Sequence, residues 1–442
     1  MNIRKIFKGQ GNKEIVAKNI AWAVFGKVVN MLGVLFVGIL IARHLGPEDY
    51  GLMNYVISYV TIFTILATFG LNNIEIRELS YNTNAKEKIL GTCFCVRFIF
   101  ALFSYLLVLV IVIITEAEFN TSILIMLYAL TLFSTCFEVI RNYFYSILKN
   151  EYVVKSEITR TIIGSVIKII LLIFNSSLIF FVIAIILDTF LVASGYCIAY
   201  KKTEGSFKLW TFDKKIVPYY LKQAFPLVLS GAAVVVYERI DQVMIGNMLN
   251  HSEVGYFATA GKFLDLVLFL PMIISQTITP LLVQSKARSE KDYYEKAKIY
   301  MSSVVWISIV LSFGLTICSY WLISLTFGED YLSAIPVLQI LAWKTVGIAL
   351  SSSGGQLIII EKIQKWAVIR NIVGCIVCII LNYLFIPKWG IVGSAAVTII
   401  TVFVSGCFAN LLIPSYHHIF KLEINAIFKG PKNLLNYQVL IR

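Results

Sequence analysis

Residues 89–115 read ILGTCFCVRFIFALFSYLLVLVIVIIT, a run of 27 residues in which Arg97 is the single charge. The hydrocarbon layer of a membrane is about 30 Å thick, so a helix of roughly 20 apolar residues can cross it. This run therefore predicts a transmembrane helix. With eleven comparable runs, twelve spans are predicted: 18–42, 51–72, 89–115, 121–148, 157–175, 178–200, 223–249, 255–285, 299–326, 332–359, 366–386 and 390–414. The fold class predicted from them is an all-α polytopic membrane protein.

The overall composition agrees with this prediction. Of the 442 residues, 58% are hydrophobic and 14% are charged, and the mean hydropathy is +0.81. Ordinary soluble domains contain about 25% charged residues. The composition therefore excludes a soluble enzyme, a disordered chain and a secreted disulfide scaffold.

The distribution of basic residues predicts the topology. With a cytoplasmic N-terminus, 29 of the 38 Lys and Arg residues fall in segments on the inner side, and the outer loops hold only Arg43 and Lys388. Cytoplasmic loops of membrane proteins carry such an excess of Lys and Arg. We therefore predict twelve spans with both termini in the cytoplasm. The net charge of +13 is assigned to orientation in the membrane, and no nucleic-acid partner is expected.

Each predicted half has six spans, an even number, so both halves begin on the same side of the membrane. The two halves are therefore predicted to be parallel repeats. The predicted domains are a six-helix lobe at 1–200, a cytoplasmic basic linker at 201–222, a six-helix lobe at 223–414 and a cytoplasmic tail at 415–442. One trace of the repeat is visible: Leu45 and Gly51 enclose an acidic turn, and so do Leu249 and Gly255, at an offset of 204 residues. Part of the linker is expected to form an interfacial amphipathic helix. Pro226, Pro271 and Pro280 predict breaks within the spans.

Charged residues inside the spans are the candidate functional residues, since each costs about 2.5–3.5 kcal/mol in a bilayer and such groups usually face a polar interior. Seven are basic: Lys27, Arg97, Arg141, Lys168, Arg239, Lys262 and Lys344. Five are acidic: Glu138, Asp188, Glu238, Asp241 and Asp265. Two pairs, Glu138 with Arg141 and Lys262 with Asp265, lie three residues apart and so share a helical face.

Two interpretations of these charges remain open. In the first, the paired groups tie helices together, and Arg97 and Lys168 extend to the headgroup region. In the second, the seven cations line a central cavity. Lys27, Arg97, Lys168 and Lys344 have no partner nearby in the sequence, and unpaired cations in a low-dielectric cleft attract phosphate. Such a cavity would suit a lipid-borne diphosphate with a polar sugar portion.

The chain lacks the motifs of several enzyme classes. It contains no GxxxxGK[ST], HExxH or GxSxG sequence. Cys375-x-x-Cys378 has metal-like spacing, but its neighbours are apolar, and we interpret both as packing residues on a lipid-embedded helix. No cofactor or metal is expected. A membrane polymerase or ligase is disfavoured because the predicted outer loops are only a few residues long.

Four segments resemble Wzx-type polysaccharide repeat-unit flippases, which serve O-antigen and capsule synthesis within the multidrug/oligosaccharidyl-lipid/polysaccharide exporter superfamily. They are ARHLGPEDYGLMNYV (42–56), YERIDQVMIGNMLNHSEVGYFATAGKF (237–263), FGEDYLSAIPVLQIL (327–341) and GIVGSAAVTII (390–400). The resemblance implies a two-lobed, V-shaped, MATE-like fold in a bacterial cytoplasmic (inner) membrane. It also implies a role for Arg239 and Asp241 on the first span of the second lobe.

The function implied by the resemblance is the transfer of undecaprenyl-diphosphate-linked oligosaccharide from the inner to the outer leaflet by alternating access. The implied partners are this lipid-linked glycan, membrane lipids, a polysaccharide polymerase and a chain-length regulator. Ion coupling would use one of Asp188, Glu238, Asp241 and Asp265, with a proton or sodium. The alternative is a cation-coupled multidrug exporter, whose cavity should be lined mainly by acids.

Overall fold

The chain folds into helices. A computed structural model describes residues 10–115 and 118–435, and within these ranges no β-strand occurs. The helices, in chain order, are α1 Gln10–Thr61, α2 Thr64–Thr68, α3 Asn72–Tyr81, α4 Lys86–Thr115, α5 Phe119–Tyr128, α6 Thr131–Ser134, α7 Glu138–Ser146, α8 Asn150–Ile173, α9 Leu178–Thr203, α10 Val217–Met248, α11 His251–Arg288, α12 Glu290–Thr326, α13 Ala334–Leu341, α14 Lys344–Ile360, α15 Ala367–Gly406 and α16 His417–Leu434.

Nine helical segments in the described part of the chain are long and apolar enough to cross a membrane. Two of them, 28–81 and 364–412, each overlap two of the predicted spans, and the predicted span 157–175 falls largely on α8. An all-α multi-pass membrane protein is therefore confirmed. The count of twelve spans and the cytoplasmic termini stay predictions.

Two predicted outer loops are single-residue breaks within long helices. The backbone leaves the helical conformation at Gly46 (φ 73°, ψ 174°) in α1 and at Gly390 (φ 57°, ψ −142°) in α15. Positive φ is accessible to glycine because it has no Cβ. At each position the chain changes direction without a loop.

Other helix breaks lie where no proline occurs. The second predicted span is interrupted between Thr61 and Thr64 and again at Phe69 and Gly70, both with positive φ. The hydroxyl of Thr61 donates to the carbonyl of Ile57 at 2.6 Å, a back-bond that commonly bends helices. The prediction that prolines break the helices is wrong, because α10 and α11 run continuously through Pro226, Pro271 and Pro280.

Contacts within the chain define two compact units. The first contains the described residues up to Leu45 together with Val56–Ala232, and the second contains Gly46–Tyr55 together with the described residues from Ala233 onward. The division falls inside α10, beyond the predicted linker. The first unit has a core around Leu90, Phe144 and Tyr200, and the second has a core around Tyr300, Leu350 and Tyr416.

The linker between α9 and α10 packs on the first unit. The indole of Trp210 donates to the hydroxyl of Tyr200 at 3.1 Å, and Asp213 forms a salt bridge with Lys88 at 2.5 Å. A Cβ on Gly91 would stand 2.6 Å from the carbonyl oxygen of Thr211, so the linker approaches the backbone of α4 closely. Between Glu204 and Ile216 the only helical element is a short 3-10 turn at Phe207–Leu209. Of the predicted linker 201–222, residues 201–203 end α9 and residues 217–222 begin α10. The expectation of a separate amphipathic helix is therefore wrong, because the segment between them forms a turn held by contacts to α4.

The predicted tail contains an ordered helix. Ile419 and Leu422 of α16 are buried in the core of the second unit. The indole nitrogen of Trp306 on α12 donates to the carbonyl of Ala426 at 3.1 Å, and a Cβ on Gly430 would stand 1.9 Å from that nitrogen. Gly430 thus allows α16 to pass over Trp306.

The two copies of the repeated turn pack against each other within the second unit. A Cβ on Gly51 would stand 1.7 Å from the carbonyl oxygen of His251, and a Cβ on Gly255 would stand 2.2 Å from that of Pro47. Pro47 and His251 are separated by the same 204 residues as the two glycines. The contact therefore has approximate two-fold symmetry, with each copy offering a glycine to the other copy's carbonyl.

Candidate substrate and ion site

A cavity of about 210 Å³ in the second unit collects most of the charged candidates of that half of the chain. Its lining residues come from α10, α11, α13, α14, α15 and the segment Gly46–Tyr55. Its polar and charged lining residues are Asn54, Glu238, Arg239, Asp241, Gln242, Lys262, Asp265, Lys344 and Thr398.

Local structure explains how these side chains reach one cavity. Glu238, Arg239 and Asp241 lie within about one turn of the uninterrupted helix α10. Lys262 and Asp265 lie three residues apart on α11 and so share one face. Lys344 is the first residue of α14, after the chain turns at Ala342 and Trp343.

The cavity carries cations and acids in equal number. Arg239, Lys262 and Lys344 line it together with Glu238, Asp241 and Asp265. In the described part of the chain no salt bridge within 4.0 Å involves any of the three cations. The pair expected from the spacing of Lys262 and Asp265 is therefore not formed. None of the three cations is therefore held in a salt bridge among the described residues, although Lys344 interacts electrostatically with Asp241 over a longer distance.

Asp241 differs from the other acids because it is buried and hydrogen-bonded. Its carboxylate accepts hydrogen bonds from Asn382 Nδ2 at 2.6 Å, from Thr398 Oγ1 at 2.7 Å and from Cys378 Sγ at 3.3 Å. Ser394 in turn donates to Asn382 Oδ1 at 2.8 Å, which orients that amide. All these partners belong to α15, on both sides of the break at Gly390. The break turns the second half of α15 back, so both halves reach Asp241.

None of these partners of Asp241 was predicted from the sequence. Cys378 packs inside the protein on its helix, since its side chain is buried, but its thiol also contacts Asp241, which was not predicted. A usable signal was present: Cys378 with Asn382, and Ser394 with Thr398, are polar pairs four residues apart in apolar helices. Such spacing marks one polar face. The described residues hold no group of three or more His, Cys, Asp or Glu side chains arranged for a metal ion.

The prediction that Arg97 lines a cationic cavity is wrong. Its side chain is 0% exposed, and its guanidinium donates to Glu75 Oε1 at 2.7 Å and to Glu75 Oε2 at 2.9 Å. Asn72 Oδ1 and the carbonyl of Thr135 accept further hydrogen bonds from it. Glu75 was assigned to a cytoplasmic loop, but it lies on α3 with no exposed surface. Arg97 therefore ties α3 to α4 and cannot contact a substrate.

Two more predicted cavity cations have carboxylate partners in the first unit. Lys168 on α8 forms a salt bridge with Asp188 on α9. Lys168 is therefore not an unpaired cation, and Asp188 is not an unpaired acid. Arg141 forms a salt bridge with Glu138 at 3.1 Å, the pairing that their spacing predicts. The side chain of Lys27 lies outside the described residues. Of the seven cations, Arg239, Lys262 and Lys344 are those that the structure brings together.

Comparison with known proteins gives two family matches. Residues 16–281, more than half of the chain, match the model of a family described as "Polysaccharide biosynthesis protein". Residues 226–384 match the MatE family model. The "Probable low-salt glycan biosynthesis flippase Agl15" of Haloferax volcanii is 25% identical over 175 residues, which is 39% of this chain. The match spans 36% of that relative's length.

Solved structures share the fold over nearly the whole chain. The lipid II flippase MurJ, in an inward closed conformation, has a TM-score of 0.71 at 16% identity, with 96% of each chain covered. An inward-facing multidrug resistance MATE family transporter of the MOP superfamily has a TM-score of 0.67 at 14% identity, with 88% of this chain and 96% of that chain covered. These similarities confirm the predicted MATE-like fold class.

Proposed function

Because the chain belongs to the polysaccharide biosynthesis protein family, we propose that it is a flippase for an undecaprenyl-diphosphate-linked oligosaccharide. It acts in a bacterial cytoplasmic membrane with both termini in the cytoplasm. The observation that carries the proposal is the cavity in the second unit, where Arg239, Lys262 and Lys344 have no salt-bridge partner among the described residues. Unpaired cations in a low-dielectric site bind a diphosphate with charge-assisted hydrogen bonds.

The size of the cavity fits a headgroup rather than a whole substrate. About 210 Å³ accommodates a diphosphate and part of a sugar, and the polyprenyl chain remains in the lipid. The acids beside the cations accept hydrogen bonds from sugar hydroxyls. In this scheme the protein moves the headgroup by alternating access, and a polysaccharide polymerase and chain-length regulator act on the product.

Asp241 is the proposed coupling group. Asp188 is held by Lys168, and Glu238 and Asp265 are exposed, whereas Asp241 is buried and approached by three hydrogen-bond donors. No cation forms a salt bridge with Asp241 among the described residues, and a buried carboxylate of this kind binds a proton or a small cation to offset its charge. The occupant leaves or enters as the cavity changes its access, which links transport to an ion gradient.

The test is a flipping assay in proteoliposomes with a fluorescent undecaprenyl-diphosphate-linked oligosaccharide. Each of the variants Arg239→Ala, Lys262→Ala and Lys344→Ala is expected to lower the flipping rate about 10- to 100-fold, the equivalent of one lost charge-assisted hydrogen bond. Lys388→Ala, in a predicted outer loop, is the matched control. Wild-type rates in all the cavity variants would rule out the proposed site.

The coupling ion is identified in the same vesicles. Imposed proton and sodium gradients are compared for the wild type and for Asp241→Asn. We expect one gradient to accelerate the wild type, and Asp241→Asn to lose that response. Asp265→Asn, a matched acid-to-amide change in the same cavity, should keep it. A response that survives in Asp241→Asn would exclude Asp241 as the coupling group.

A multidrug exporter is the second candidate. The MatE match at residues 226–384 and the three acids in the cavity favour it. Uptake of a fluorescent organic cation such as ethidium into the same vesicles distinguishes the two. Ethidium transport without lipid flipping would replace the flippase proposal.

A further inference from the structure

Helix α16 buries its single acidic residue. In the sequence HHIFKLEINAIFKGPKNL, Glu423 is the only carboxyl group, and its side chain is 0% exposed. A Cβ on Gly354 of α14 would stand 2.5 Å from Glu423 Oε1, so the carboxyl group packs directly on the backbone of α14. Glu423 thus faces the helix bundle while the lysines of α16 face outward.

The hydrogen bonds around Glu423 do not suit a carboxylate. Asn410 Nδ2 lies 2.9 Å from Oε1, 3.0 Å from Oε2 and 3.3 Å from the carbonyl of Gly406. One amide nitrogen with two hydrogens is therefore surrounded by three acceptors. Asn410 Oδ1, on the same amide, is buried and has no hydrogen-bond partner among the described residues. The thiol of Cys407 also hydrogen-bonds Glu423. It does not satisfy Asn410 Oδ1, which still lacks a donor.

The nearest buried cation does not supply that donor. The guanidinium of Arg370 donates from Nε to the carbonyl of Ser405 at 3.0 Å and from Nη2 to Ser351 Oγ at 3.3 Å. Within residues 118–435 no salt bridge joins Arg370 to Glu423. A carboxylate buried without a contacting cation is costly, and such groups commonly neutralise by binding a proton.

We propose that Glu423 is a proton-binding site, and that its neutral carboxyl group, paired with the amide of Asn410, holds α16 against α12, α14 and α15. The proton on one carboxyl oxygen donates to Asn410 Oδ1, and Asn410 Nδ2 donates to the other oxygen. The required rotation of the Asn410 amide is easy because this torsion is broad. Both groups of the amide are then satisfied.

The burial of Glu423 determines the direction in which docking of α16 changes with pH. Burial raises the pKa of Glu423 from its ordinary value of 4.5 to about 8, against the opposing effects of Asn410, Arg370 and Cys407. Arg370 and Cys407, both on or next to α15, are the charged and titratable groups that face it. Between pH 4.5 and about 8 the docked helix holds a proton that the undocked helix releases. Docking is therefore complete below this interval and weakens as pH rises through it.

The test is hydrogen–deuterium exchange of residues 417–434 in the full-length protein in lipid nanodiscs, with rates corrected for intrinsic pH dependence. In the wild type we expect protection of α16 to fall by up to about tenfold per pH unit across this interval. Glu423→Gln, which mimics the neutral acid, should keep α16 protected at every pH. A Glu423→Gln protein that fails to fold, or that keeps the wild-type pH dependence, would overturn the proposal.

Two variants separate Glu423 from other titratable groups. His418 Nε2 lies 2.7 Å from Glu361 Oε2 at the start of α16, so His418→Gln removes another titratable contact of the helix. Asp292→Asn is the matched acid-to-amide change on α12, where Asp292 pairs with Lys296. Both should keep the wild-type pH dependence. If His418→Gln alone loses the pH dependence, then His418 is the group responsible for it, and the assignment to Glu423 is overturned.

Discussion

Single charged residues in apolar helices have different roles in the two units. Arg97 and Lys344 give the same signal in the sequence, a lone cation within a predicted span. Arg97 has a carboxylate partner on α3 and is fully buried, whereas Lys344 lines a cavity and has no salt bridge among the described residues. The difference depends on what the neighbouring helices bring to each position. Removal of the two cations should therefore affect different properties of the protein.

For Arg97 we predict a loss of stability. Arg97→Ala leaves Glu75 as a buried charge without its partner, which typically costs about 3–5 kcal/mol. The free energy of unfolding of the purified protein, measured by denaturant titration, should fall by that amount. Arg77→Ala removes a largely exposed guanidinium that pairs with Glu78, and should cost about 1 kcal/mol or less. A small effect of Arg97→Ala, similar to that of Arg77→Ala, would contradict the structural role.

At the scale of helices, glycines decide where elements meet and turn. Gly46 and Gly390 end a helical segment by adopting positive φ. Gly51 and Gly255 lie in regular helix, and their importance comes from the carbonyl groups that approach them. The repeated turn was recognised in the sequence by its spacing. That its two copies touch could not be predicted, because 204 residues separate them.

We predict that Gly51→Ala and Gly255→Ala each destabilise the protein. The new methyl group would meet backbone carbonyl oxygen, which cannot rotate away, and overpacking of this kind costs about 1–3 kcal/mol. Gly314→Ala on α12 is the matched control, because no atom lies within 4 Å of its Cβ position. The control should be neutral or stabilise the helix by up to about 1 kcal/mol. Thermal unfolding that ranks Gly51→Ala with Gly314→Ala would disprove the close contact.

At the scale of the whole molecule, hydropathy and charge describe the chain's relation to the membrane. The nine apolar segments and the predicted twelve spans are compatible because two long segments contain a break and α8 supplies one more span. The asymmetry of Lys and Arg predicts the side of each connection. The membrane itself imposes both patterns, so neither requires knowledge of the tertiary contacts.

The topology is tested by labelling single cysteines with a membrane-impermeant thiol reagent in intact cells. Lys388→Cys, in a predicted outer loop, should react from outside. Lys202→Cys in the linker and Lys429→Cys on α16 should react only after lysis. The unsubstituted chain measures the background of its eight native cysteines. Reaction of Lys429→Cys in intact cells would contradict a cytoplasmic C-terminus.

The amino-acid sequence by itself determined the all-α multi-pass class, the approximate limits of the helices and the resemblance to polysaccharide flippases. These are properties of contiguous residues, since a membrane span is recognised by about 20 neighbours in the chain. The tertiary structure alone decided which charges are free. Glu75 and Arg97 are 22 residues apart and Asp241 and Asn382 are 141 apart, and their pairing depends on how separate helices pack. Glu423 was predicted to lie in a cytoplasmic tail, and only the packing of α16 made it a buried group.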